Sequence, residues 1–194
     1  MEAAAERAVR TIGYTNAGTF EFLVGPDGSF YFIELNARLQ VEHPVTEMCT
    51  GIDLVREQLQ VAAGEALSVT GRAPRRGHAI EIRLNAEDPE HDFRPSPGRI
   101  ARFHPAQGPG VRVDTFVESG STVPPFYDSM IAKLIVWDTD RATAIARARR
   151  ALQETVIEGV PTTRDLALEV LASDAFRSGD YSTSTLEALR AVAT

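Results

Sequence analysis

Lysine is almost missing from this sequence. Its 194 residues include 20 basic side chains, and Lys133 is the only lysine among them. No glycine-rich string ends in Gly-Lys-Ser or Gly-Lys-Thr, and no G-x-G-x-x-G occurs. The usual loops that grip nucleotide phosphates are therefore not encoded here. Cysteine is equally scarce: Cys49 stands alone, which excludes an internal disulfide and a cysteine-based zinc site. That usage suits a reducing compartment. The histidines, His43, His78, His91 and His104, never fall at the i, i+4 spacing of a helical zinc motif. Positive charge is also in deficit, 20 against 27 acidic residues, for a net charge of -7. So acidic a chain is a poor ligand for nucleic-acid phosphates and for an anionic membrane surface. No apolar run approaches the roughly 20 residues that span a bilayer. The opening MEAAAERAVRT lacks the apolar core of a signal peptide. The expected location is the cytoplasm.

With 43% apolar residues, the chain has enough to build one ordinary domain or two small ones. Ala4, Ala5, Ala8, Val9 and Ile12 recur at helical spacing. No capping residue precedes them, the pattern of a chain that opens partway through a larger domain. From Gly18 to Asn36 the pattern changes to strands. Asp27-Gly28, flanked by aromatic and β-branched runs, predicts a hairpin with a two-residue loop. A Pro-led turn closed by Gly51 is expected next. Thr50 and Asp53 have capping-box spacing, and a helix should run from about Asp53 to Ala63. Residues 65–77, rich in Gly, Pro and Arg, read as a linker. Beyond it HAIEIRLN alternates, with Ile80, Ile82 and Leu84 on one face and Glu81, Arg83 and Asn85 on the other. GRIARFH, GVRVDTF and MIAKLIVW also read as strands. Helices are expected from about Asp140 to Thr155, after the Thr162/Asp165 capping-box spacing, and from near Ser184. Arg141, Arg147, Arg149 and Arg150 would form a solvated basic face. The reading is α+β, in two parts.

The hairpin carries the chemistry. With Asp27-Gly28 as its loop, Glu21 faces Glu34 across the strands, their Cβ atoms roughly 5 Å apart. Phe20, Phe22, Val24, Tyr31, Ile33 and Leu35 would form the other face, apolar and buried. Polar groups then collect at the end away from the turn: Glu21, Glu34 and Asn36, continued by Arg38 and Gln40. Two opposed carboxylates need compensation. Hard oxygen ligands at this spacing suit Mg²⁺ or Mn²⁺, with substrate phosphates completing the shell. An arginine partner or a solvated rim would also serve. In the run Asn36-Ala37-Arg38-Leu39-Gln40-Val41-Glu42-His43-Pro44 a guanidinium could grip a small planar oxyanion. A nearby carboxylate could act on it as general base. A polar loop that pairs its own charges is the alternative.

These residues also carry a resemblance. FYFIELNARLQVEHPVTEM, with GTFEF before it and TGIDLVREQ after it, resembles the signature of biotin carboxylases, the ATP-grasp enzymes of acetyl-CoA, propionyl-CoA and pyruvate carboxylases. It continues through GHAIEIRLNAEDP, PSPGRI, PPFYDSMIAKLIV and ALQETVIEGVPTT, so that it covers nearly the whole chain. Only the C-terminal part of the family is matched. The N-terminal domain, the Gly-rich lid and the lysines that family members place on ATP phosphates have no counterpart here. The resemblance implies residues 1–70 as the C-terminal portion of an ATP-grasp domain, antiparallel strands plus helices. Residues 77–194 would be the α+β biotin carboxylase C-terminal domain.

The implied reaction has two steps: ATP phosphorylates bicarbonate, and the activated CO₂ passes to biotin on a carrier protein. By motif position, Glu21, Glu34 and Asn36 would hold the divalent metals, and Glu21 and Glu34 thereby ATP. Arg38, Gln40 and the backbone of Val41 would bind bicarbonate, and Glu42 would deprotonate it. Arg83 would stabilise the biotin enolate, although salt bridges to Glu81 or Glu87 would equally explain an arginine there. Leu23 and Ile33 would lie near the adenine, yet strict alternation sets them on opposite faces. The implied partners are a biotin carboxyl carrier protein, a second copy of the chain and a carboxyltransferase subunit. The dimer contact would lie near His104 to Arg112, where Pro109 replaces a frequent aromatic residue. Two rival readings remain. One is a catalytically inactive module kept for dimerisation or docking, which the missing lysines favour for the isolated chain. The other is a different ATP-grasp ligase such as a carbamoyl-phosphate synthase, against which the RLQVEHPVTE run speaks.

Overall fold

The computed structural model describes residues 1–192 and divides into two compact units, Met1–Arg75 and Arg76–Thr194. In the first, helix α1 (Glu2–Ile12) precedes a hairpin of β1 (Thr19–Val24) and β2 (Phe30–Asn36). The hairpin loop differs from expectation. Gly28 N–H donates to Gly25 O at 3.0 Å, and Gly25 N–H to Ser29 O at 2.8 Å. The loop is thus Pro26-Asp27-Gly28, three residues, with Pro26 in the first corner and Gly28 at φ +79°. This is the β-turn followed by a left-handed residue that three-residue hairpins favour. The longer loop pairs Val24 with Phe30, Leu23 with Tyr31 and Phe22 with Phe32. A β-bulge then leaves Ile33 without a cross-strand partner and restores the pairs Glu21–Glu34, Phe20–Leu35 and Thr19–Asn36.

The bulge reassigns the faces. Phe30 and Phe32, not Tyr31 and Ile33, join Phe20 and Phe22, with ring centroids 5.6 to 6.0 Å apart. Nor is this face buried: Phe32 is 57% exposed and Val24 54%. The expected Pro-led turn is instead a helix, α2 (His43–Thr50). Pro44 sits in its first turn, where a missing N–H leaves no bond unmade. Helix α3 (Leu54–Ala62) is capped by Asp53, which accepts from Arg56 N–H at 2.9 Å, and Leu54 N–H donates to Glu47 at 2.8 Å. Buried Glu57 takes the N–H and hydroxyl of Ser68, and that hydroxyl holds its carboxyl below the usual range.

The second unit is built on an antiparallel sheet with strand order β3–β10–β8: β3 (His78–Asn85), β8 (Val111–Thr115) and β10 (Met130–Asp138). Short two-stranded pairs surround it. They are β4 (Glu87–Asp88) with β5 (Arg94–Pro95), β6 (Gly98–Arg99) with β9 (Thr122–Val123), and β7 (Arg102–His104) with β11 (Val156–Glu158). Ile80, Ile82 and Leu84 alternate onto the face that also carries Ala132, Leu134 and Val136. Helix α4 (Arg141–Glu154) covers it with Ala144, Ala148, Ala151 and Leu152, all buried. Helices α5 (Arg164–Ala172), α6 (Asp174–Ser178) and α7 (Thr185–Val192) complete the unit. The arginines of α4 are not one solvated face. Arg147 forks onto Asp138 at 2.6 and 2.8 Å, and Arg141 lies 4.7 Å above the Phe176 ring. Among the described residues no helix is long and apolar enough to cross a membrane.

Candidate functional site

The end of the hairpin away from its turn gathers five of the predicted side chains. Glu21 and Glu34 are direct cross-strand partners, with Asn36 two residues further along the same face. The Asn36 amide donates to Glu21 at 2.7 Å and to Glu34 at 2.9 Å. Gln40 adds a second bond to Glu21 at 2.8 Å. Arg38 reaches the Asn36 side-chain carbonyl at 3.3 Å, and its own neighbour's carbonyl, Leu39 O, at 3.3 Å. The carboxylates are thus held together by amide N–H groups, with a guanidinium behind them. Neither an arginine nor bulk solvent alone does this.

The chain then turns into α2. Val41 and Glu42 occupy the turn, Glu42 is exposed at the N-cap position, and His43 Nδ1 bonds Gln40 O at 2.8 Å. The positive end of the α2 dipole faces this turn, an environment that favours an anion. Leu23 is exposed opposite Tyr31, on the face of the carboxylates, and Ile33 is the unpaired bulge residue. The bulge removes the strict alternation that set Leu23 and Ile33 apart.

Among the described residues no cluster of three or more His, Cys, Asp or Glu could hold a metal ion by itself. Two carboxylates and the side-chain carbonyl of Asn36 are nonetheless the oxygens of the three predicted metal ligands here. They fit a hard cation that takes its other ligands from a bound phosphate.

Arg83 belongs to the second unit. It is exposed on β3, opposite Lys133 of β10, which in turn stands opposite Asp114 of β8 at 3.6 Å. Burial raises the pKa of Asp114, but the Arg112 fork at 2.8 Å and Lys133 outweigh it, so its carboxyl lies below the usual range. Glu87, one expected partner of Arg83, is engaged by Asn85 and by the Ser129 hydroxyl. Two contributors escaped the sequence reading. Lys133 joins the charged row that contains Arg83. Thr163 ties α5 to the end of β3, accepting from Asn85 N–H at 3.1 Å and donating to Arg83 O at 3.2 Å. Cross-strand pairing with Arg83 is the signal that could have found the first; no local pattern marks the second.

An oxygen-rich hairpin beside an anion-suited helix end, followed by a separate α+β unit, has known counterparts. The family described as "Carbamoyl-phosphate synthase L chain, ATP binding domain" matches residues 1–70, and "Biotin carboxylase C-terminal domain" matches residues 81–188. Together the two matches take in most of the chain and define a two-part protein, an ATP-binding-domain portion followed by a biotin carboxylase C-terminal domain. The chain belongs to the biotin carboxylase family. It is 54% identical over 188 residues to the biotin carboxylase of Nostoc sp. strain PCC 7120, covering 96% of this chain and 42% of that protein. It is also 54% identical over 181 residues to the biotin carboxylase of Allochromatium vinosum, covering 93% of this chain and 40% of that protein. Among solved structures, the biotin carboxylase domain dimer of Hydrogenobacter thermophilus 2-oxoglutarate carboxylase is similar at TM-score 0.95 and 44% identity. The match covers 98% of this chain and 42% of that one, which was crystallised with MgADP, ADP and bicarbonate. The chain therefore spans about two fifths of the length of these relatives.

Proposed function

We propose that the chain supplies the metal, bicarbonate and biotin side of an ATP-dependent biotin carboxylase. The observation that carries this reading is the Asn36 amide shared between Glu21 and Glu34, with Gln40 and Arg38 joined to the same network. Residues 1–70 would be the C-terminal portion of the ATP-grasp domain and residues 77–194 the carboxylase C-terminal domain.

Bicarbonate would be held by the planar Arg38 fork, the Gln40 amide and the Val41 N–H, at the positive end of α2. Glu42 would take its proton as the oxygen attacks the terminal phosphorus of ATP, with ADP as leaving group. Leu23 and Ile33 would line the adenine. Bound Mg²⁺ or Mn²⁺ would neutralise phosphate charge, and Glu21, Glu34 and Asn36 would hold it. The carboxyphosphate so formed would break its bridging C–O bond into CO₂ and phosphate; the phosphate would carry off the biotin N–H proton, Arg83 would stabilise the negative charge left on the ureido oxygen, and the ureido nitrogen would bond to CO₂. Positioning and electrostatics would do most of the work. The biotin would arrive on a carrier protein, the product would pass to a carboxyltransferase subunit, and the working form would be a cytoplasmic homodimer. With Lys133 its only lysine, the isolated chain would await the phosphate-gripping groups of the rest of such an enzyme.

The test is calorimetric. With ADP present, Mn²⁺ should bind the chain, and Glu34→Gln should weaken it about tenfold or more, the loss of one charged ligand. Equal affinity in the variant would remove the hairpin carboxylates from metal binding.

A further inference from the structure

On the sheet face away from α4, charged side chains line up across three strands. Arg83 of β3 stands opposite Lys133 of β10, and Lys133 opposite Asp114 of β8. Glu81 and Arg112 flank this row, both opposite Ile135. The five side chains carry three positive charges and two negative. Like charges set directly opposite each other destabilise an antiparallel pair, and Arg83 and Lys133 are such a pair. The Lys133 side chain is only 13% exposed, and its ammonium lies 3.6 Å from Asp114. That carboxylate is shared, because Arg112 forks onto it with two bonds of 2.8 Å. Every other basic side chain of the protein is arginine. An arginine at position 133 could fork onto Asp114 as Arg112 does, whereas an ammonium is a compact point charge.

We infer that Lys133 is a positioning residue for Arg83: anchored at Asp114, it turns the exposed guanidinium outward and strengthens its hold on an anion. The inference rests on the proposed role of Arg83 as the group that meets negative charge on the biotin ureido oxygen. Repulsion between the two cations costs folding energy in the absence of an anion and is relieved when an anion settles on Arg83. A pairing rule broken in this way is expected at a functional site. Because Lys133 is nearly buried, salt screens its charge less than that of a surface lysine. Glu81 and Asp114 oppose its field, and the surplus of one positive charge among the five groups decides the sign.

The experiment follows the Arg83 Nε–H resonance of the full chain by NMR, assigned through Arg83→Gln. Inorganic phosphate is titrated in as a stand-in for the oxyanion, and the resonance should shift saturably. Lys133→Met keeps the apolar stem and removes the charge, so it should weaken phosphate at least about fivefold. Asp114→Asn removes an opposing charge and should tighten phosphate by about as much. A merely structural role for these residues would instead weaken binding in both variants. Far-UV circular dichroism checks that each is folded. Lys133→Gln and Arg112→Gln are the substitutes should either fail; the second leaves Asp114 wholly to Lys133 and should weaken phosphate. Equal affinity in the parent and Lys133→Met, weakening in both variants, or no gain in Asp114→Asn would overturn the inference and leave the Arg83 reading standing. A parent resonance that phosphate does not move would remove Arg83 from anion binding, and the inference with it.

Discussion

Replacing Asn36 by leucine should loosen the hairpin through its carboxylates. Glu21 and Glu34 stand directly opposite each other, which sets their Cβ atoms roughly 5 Å apart. At that distance two like charges repel by about 1 kcal/mol in water and about 3 kcal/mol at an effective dielectric of 20. The Asn36 amide offsets this with bonds of 2.7 and 2.9 Å to the two carboxylates. Hydrogen bonds to charged groups contribute about 1.5–3 kcal/mol each, and less where water competes. Glu34 is exposed, so the low end applies. Asn36→Leu should therefore lower the free energy of hairpin opening by about 1–3 kcal/mol. Amide exchange in Thr19–Val24 and Phe30–Asn36, followed by NMR, should quicken about ten- to a hundredfold. Adding Glu34→Gln removes the repulsion and should recover about 1 kcal/mol of the loss. Salt at 1 M, where charges are screened beyond about 3 Å, should shrink the effect of the single variant. Exchange rates equal to the parent chain, or additive effects of the two substitutions, would refute a shared amide clamp.

Two further expectations concern the second unit. Gly159 sits at φ +111°, and a Cβ there would lie 2.2 Å from Arg99 O and 2.7 Å from Ala101 N. Gly159→Ala should lower stability in urea by about 2–4 kcal/mol, read by Trp137 fluorescence, whereas Gly179→Ala, also at positive φ but in open space, should cost about 1 kcal/mol. Acid should destabilise this unit below about pH 4. The Thr139 N–H and then the Arg147 fork hold the Asp138 carboxyl below its ordinary value, and the Thr143 N–H does the same for Asp140. A lowered folded pKa gives stability that is complete above the unfolded value, near 3.9 for Asp, and is lost as pH falls toward the folded one. Asp138→Asn should flatten the fall of Tm between about pH 4 and pH 2; an unaltered slope would count against the pair.

Alternation made β3 legible, since Ile80, Ile82 and Leu84 must leave water together and Arg83 must then face away from them. The aromatic run made the hairpin legible, and Asp140 announced α4 by its cap. What the sequence hid has physical reasons. Helix α2 carries a proline and few periodic apolar residues, so it reads as a turn; only the tolerance of a first helical turn for proline tells otherwise. The strand pairs of two or three residues have no period to detect. Thr162 and Asp165 have the spacing of a capping box, but the cap is Thr163, whose hydroxyl serves the end of β3 instead. Long-range bonds of that kind leave no mark on local sequence. The run Arg38–Glu42 stands out in the sequence as a family-like string, while its joining to Glu21 through Gln40 needed coordinates.

The hairpin register shows how a right pairing can follow from a wrong loop. A two-residue loop and a three-residue loop differ by one position, and a one-residue slip turns every side chain to the opposite face. The bulge at Ile33 cancels that slip, but only beyond it. On the carboxylate side of the bulge, Glu21 meets Glu34 as the simple register predicts. On the turn side the parity is inverted, so Phe30 and Phe32 leave the carboxylate face and Tyr31 takes their place opposite Leu23. Without the extra residue, two phenylalanine rings would flank the acidic pair and the row of rings would be broken. One unpaired residue thus separates an oxygen-rich face from a wholly apolar one on the same two strands. That separation leaves oxygen-bearing side chains on one side of the hairpin and aromatic rings on the other.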